Sequence, residues 1–162
     1  MDPILALLLF LHVGGAILAF GPTFAFPIIG AMASREPQHV NFALRLQARI
    51  AHTLVTPLAL FQGVTGLLLV WRAGFELLTR GWLLVSIALY LTALAISFGV
   101  LYPASRVLIP ATSGPPPTPP AGAAPSGPPP HIVATIKRAR MGGMINSVLV
   151  LIIVLLMVTK PF

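Results

Sequence analysis

Two histidines, His12 inside one long apolar run of this 162-residue chain and His52 at the start of another, are the side chains best equipped for chemistry. An ionisable group costs free energy in hydrocarbon, so it turns toward a bundle interior, where it can bond or bind. At helical spacing His12 shares a face with Gly15, Ala16, Ala19 and Thr23. Such small neighbours leave room beside the imidazole for a closely packed helix, or for a flat ligand such as a porphyrin whose iron the ring could ligate. His52 lies on a stripe with Arg45, Arg49, Thr56, Ala59, Gly63 and Gly66. The two guanidiniums below it suit the propionates of a heme b, or equally the phosphates of a lipid surface that anchors a helix end. Straight helices would separate His12 and His52 by about 12 to 16 Å along the bilayer normal, so a single iron is not expected to take both. The candidate cofactor-binding set is therefore His12, His52, Arg45 and Arg49, with His12 as the metal ligand. His39 and His131 are expected to face water.

Other chemistry is excluded or unsupported. The chain has no cysteine, hence no disulfide, thiolate metal site or thiol nucleophile. No apolar run holds an acidic residue, which leaves a carboxylate proton relay or a sodium site without ligands. Paired carboxylates, a glycine-rich phosphate loop and a serine nucleophile with its base are also missing from the pattern. Ser86, Tyr90, Ala93 and Ser97 share one face of the third run, and Asn146 and Ser147 lie in the fourth. They are suited to hydrogen bonds between helices.

Four runs must position these groups, over residues 3–34, 53–71, 81–105 and 141–159. About 20 apolar residues in a helix cross the roughly 30 Å hydrocarbon core, and each run meets or nearly meets that length. Hydrophobic residues are 57% of the chain, charged residues 8%, and mean hydropathy is +0.95, values foreign to a fold with a solvated surface. The expected class is an all-α polytopic membrane protein, a four-transmembrane-helix bundle. Met1-Asp2-Pro3 carries no basic n-region, so the first run is expected to be kept as a span. Pro22, Pro27, Pro57 and Pro103 should kink their helices.

Arg35, Arg45, Arg49, Arg106, Lys137, Arg138 and Arg140 fall on one side of this layout, and Asp2, Arg72, Glu76, Arg80 and Lys160 on the other. The positive-inside bias then places both termini outside the cytoplasm, an N-out, C-out hairpin pair with Trp71 and Trp82 at an interface. The net charge of +7 sits at span ends, which favours anionic lipid headgroups over nucleic acid as a partner. Residues 110–130, almost wholly proline, glycine, alanine, serine and threonine, read as a cytoplasmic polyproline II linker. The layout is then three spans over 1–109, the linker over 110–130, and over 131–162 a fourth span with a basic N-terminal extension.

The run Leu11-His12-Val13-Gly14-Gly15-Ala16-Ile17-Leu18, the stretch His52-Thr53-Leu54-Val55-Thr56-Pro57 with Gly63 and Thr65-Gly66-Leu67, and the terminal Met157-Val158-Thr159-Lys160-Pro161 resemble the predicted integral membrane family of domain of unknown function 2269. The resemblance covers nearly the whole chain except the proline-rich tract, and implies no activity. In architecture the layout is also similar to HemJ-type protoporphyrinogen oxidases and CopD-type copper-resistance domains, which implies porphyrin or metal binding at His12. HemJ-type proteins pair their histidine with a lysine in a later span, and no apolar run here contains lysine. Three readings follow: first a non-catalytic accessory or structural subunit in a prokaryotic cytoplasmic membrane, packed against itself or a larger complex; second a b-type heme or porphyrin protein using His12; third a small-solute transporter.

Overall fold

Residues 2–74, 80–114 and 127–161 are described by the computed structural model of the chain. Four long helices run Pro3–Arg35, Pro37–Arg72, Gly81–Ala111 and Pro130–Thr159, and no strand occurs among the described residues. With 30 to 36 residues each they are about 45 to 54 Å long, well beyond the hydrocarbon thickness. Large apolar side chains such as Phe10, Ile17, Leu67 and Leu155 point outward, as they must where lipid is the solvent. Small residues make up much of the interior, beside Trp82, Leu83, Leu108, Ile132 and Val150. Ala19, Ala33, Ala43, Ala59, Ala93 and Ala104 are buried, as are Gly15 and Gly142, which lets backbones approach closely.

Proline accounts for the breaks in three of the four helices. The first passes through a 3-10 segment at Gly21–Ala25, which contains Pro22 and ends two residues before Pro27. The second and third each contain a π turn, Ala51–Val55 and Ser97–Leu101, ending two residues before Pro57 and Pro103. In each, the residue ahead of the proline closes the wide turn: Thr56 N–H donates to the Ala51 carbonyl, and Tyr102 N–H to the Ser97 carbonyl. Each proline ring lacks an N–H and crowds the carbonyl one turn back, and the widened turn accommodates both defects without ending the helix. The fourth helix carries its proline, Pro130, in the first turn, where the missing N–H costs nothing, and it stays α-helical over 30 residues.

The first helix lies along the Thr56–Arg72 half of the second, and the third along the fourth. These pairs join where Val40–Ile50 packs on Tyr102–Ala111. The Asp2 carboxylate caps the first helix by accepting the Ile4 N–H (3.1 Å) and pairs with Arg72. Lys160 Nζ sits 5.9 Å from the Trp82 ring centroid. Both chain ends and the turn after Arg72 thus share one end of the bundle, the terminal end, and the arginines and lysines of residues 35–49, 106 and 137–140 share the opposite, basic end.

Two boundaries differ from those marked by hydropathy. The second helix begins at Pro37 rather than near 53, with only Glu36 between it and the first. Its Val40–Ile50 stretch keeps helical periodicity but carries Asn41, Arg45, Gln47 and Arg49, so hydropathy alone misses it. The third helix continues through Pro110 to Ala111, and Asn41 Nδ2 lies 2.9, 3.0 and 3.1 Å from the Ile109 carbonyl and the Thr112 and Ser113 hydroxyls. The proline-rich tract over 115–126 and Glu76 lie outside the described residues. The basic extension ahead of residue 141 is part of the fourth helix itself, and His39 and His131 are exposed.

Candidate functional site

His12 lies about 14 Å along the first helix from Pro3, within the hydrocarbon span. Gly15 and Ala19, one and two turns on, are buried against the second helix and bring the imidazole to it. Its Nε2 stands 3.0 Å from Gln62 Nε2 and its Nδ1 3.0 Å from Thr65 Oγ1. A neutral imidazole has one N–H and one lone pair. The Gln62 amide can only donate through Nε2, so His12 Nε2 accepts and Nδ1–H donates to the threonine. Thr65 in turn donates to the carbonyls of Phe61 and Gln62, at 3.0 and 3.1 Å. Both ring nitrogens are therefore occupied by the neighbouring helix.

The fit around this contact is close. A Cβ at Gly66 would stand 3.1 Å from His12 Cε1, and one at Gly15 3.1 Å from Gln62 Oε1. That amide oxygen is buried and has no hydrogen-bond partner among the described residues. One turn away the Tyr90 hydroxyl crosses from the third helix to donate to the Ala59 carbonyl (2.8 Å), lying over Gly63. Asn146 Nδ2 donates to Ser97 Oγ (2.8 Å) and so ties the fourth helix to the third. By contrast, Ser86 and Ser147 bond back to carbonyls of their own helices.

His52 is elsewhere. It sits in the π turn of the second helix, ten residues before Gln62 and hence about 15 Å along the axis from the His12 contact. Its ring meets the edge of Tyr102 with centroids 4.8 Å apart at 71°. Arg106 lies 4.6 Å over the Tyr102 ring and donates from Nη2 to its hydroxyl (2.9 Å). Arg45 and Arg49 are exposed on the same helix as His52. The four sequence candidates thus divide into an interior contact at His12 and a basic surface at Arg45, Arg49 and His52. Among the described residues no group of three histidine, aspartate or glutamate side chains could hold a metal. For His12 to ligate an iron, it would have to release Gln62 or Thr65.

Gln62 and Thr65, the partners of His12, carry no ionisable group and so escape a search for ionisable side chains within the spans. Their signal was present: Gln62 is the only amide side chain in the 53–71 run, and a threonine three residues on shares its face. Tyr102 and Arg106 carried no comparable mark, because only the packing of the second and third helices brings them to His52.

Helices of this length, lipid-facing apolar surfaces and interior polar contacts define a multi-pass helical integral membrane protein. The chain belongs to the family described as "Predicted integral membrane protein (DUF2269)", whose model matches residues 6–161. No curated protein and no solved structure matches it.

Proposed function

We propose that this protein is a non-catalytic membrane bundle, a structural or accessory subunit that assembles with itself or with a larger membrane complex. The observation that carries this reading is how the polar groups in the spans are used. His12 with Gln62 and Thr65, Tyr90 with Ala59, and Asn146 with Ser97 form hydrogen bonds between helices, with Gln62 Oε1 and Asn146 Oδ1 the buried acceptors left without a partner among these groups. Each such bond is worth about 0.5 to 2 kcal/mol in lipid, and together they favour one arrangement of the bundle. The placement of arginine and lysine supports a prokaryotic cytoplasmic membrane with the basic end inside and both termini outside.

The experiment is purification in mild detergent, followed by native mass spectrometry and an absorption spectrum with and without added hemin. A stable multiple of 17.1 kDa, or a defined partner, with no Soret band is the expected result. A Soret band that disappears in His12→Ala would establish the heme reading in its place. A mid-membrane path reaching Thr56 and Tyr90, detected by thiol labelling of single cysteines introduced there, would establish the transporter reading.

A further inference from the structure

The seam between the second and third helices at the basic end carries chemistry that the bundle contacts do not use. We propose that it is a site for the phosphate of an anionic lipid headgroup, held by Arg106 and Tyr102 of the third helix and His52 of the second, with Arg45 and Arg49 adding charge.

Depth is the first support. His52 lies twenty residues before Arg72, and Tyr102 twenty-one after Gly81, each about 30 Å along its helix from the terminal end. That is the hydrocarbon thickness, so both side chains come to the level of the headgroups at the far interface. Donor geometry is the second. The Tyr102 hydroxyl accepts from Arg106, which leaves its own O–H free to donate, and no such bond is formed among the described residues. The cation–π contact and the hydrogen bond together orient the guanidinium, and Arg106 is exposed. His52 is exposed, and neither of its ring nitrogens makes a hydrogen bond among the described residues. The π turn is where the chain presents it to Tyr102.

Charge is the third support. The chain has three acidic residues; Asp2 pairs with Arg72 at the other end, Glu36 stands 3.5 Å from His39, and Glu76 lies outside the described residues. Neither described carboxylate neutralises Arg45, Arg49 or Arg106. An anion with several acceptor oxygens suits such a set of donors, and a choline headgroup would bring its ammonium toward the Arg106 guanidinium.

Native mass spectrometry from nanodiscs of phosphatidylcholine doped with phosphatidylglycerol tests this. The wild-type chain is expected to retain phosphatidylglycerol over phosphatidylcholine. Arg106→Gln should lower that retention about tenfold, and Tyr102→Phe, which keeps the ring under Arg106 and beside His52, about threefold or more. Arg72→Gln, at the opposite end, should leave it unchanged, and matching far-UV circular dichroism would show each variant folded. Millimolar inorganic phosphate that fails to displace the lipid would support a headgroup as the ligand, whereas equal competition would overturn the lipid as its source. Equal retention of both lipids, or retention unaffected in both Arg106→Gln and Tyr102→Phe, would overturn the site.

Discussion

Gly63→Ala tests the contact between the second and third helices at its tightest point. A Cβ there would stand 2.7 Å from Tyr90 Oη and 3.3 Å from its Cζ. The phenol would have to retreat by about 0.7 Å to reach ordinary contact, while its hydroxyl is held 2.8 Å from the Ala59 carbonyl. Such a retreat forfeits the hydrogen bond, worth about 0.6 to 2 kcal/mol in lipid. Residual crowding adds about 1 kcal/mol or more. Against these stands a gain in helix propensity of at most about 1 kcal/mol. The net expectation is a loss of about 1 to 2 kcal/mol, measured by reversible unfolding in mixed micelles followed by circular dichroism. Gly14→Ala is the reference, since a Cβ there meets nothing within 4 Å and the propensity gain stands alone. Adding Tyr90→Phe to Gly63→Ala should cost less than the same change in the wild type, because the hydroxyl's bond has already been lost. A Gly63→Ala protein as stable as Gly14→Ala would refute the packing argument.

Other changes follow from the same reasoning. Gln62→Leu leaves the His12 lone pair without a donor and should cost about 1 kcal/mol, most of it recovered in the His12→Leu, Gln62→Leu double variant, as the same unfolding assay would report. Arg72→Ala removes a partly exposed ion pair with Asp2, so its cost should stay below about 1 kcal/mol and shrink as salt is raised in the unfolding titration. Pro57→Ala returns an N–H to the second helix, and amide exchange should then show the Ala51–Val55 turn better protected than in the wild type.

Much of the fold could be read from hydropathy, because lipid demands the same apolar run wherever a helix crosses. The 81–105 run and the apolar part of the fourth helix show this directly. What lies beyond the hydrocarbon could not be read the same way: Val40–Ile50 is a helix whose Arg45 and Arg49 are exposed, while Asn41 bonds to the third helix and Gln47 donates to the Phe26 carbonyl of the first. The stripe of His12 with Gly15 and Ala19 correctly marked a face able to admit a helix closely. Which helix, and through which side chains, depended on pairing across fifty residues, which no local pattern contains. The proline positions told where helices would deform, but not that Pro57 and Pro103 would each follow a π turn.

The His12 imidazole ties the first helix to the second through both of its nitrogens. Solid-state nitrogen NMR of the protein in lipid bilayers, with histidine and glutamine labelled, observes this directly. A neutral ring protonated at Nδ1, with a through-space contact between His12 Nε2 and the Gln62 amide about 3 Å away and no change on adding hemin, is the predicted result. An imidazole without that contact, or one whose nitrogen signal moves as hemin binds, would contradict the account.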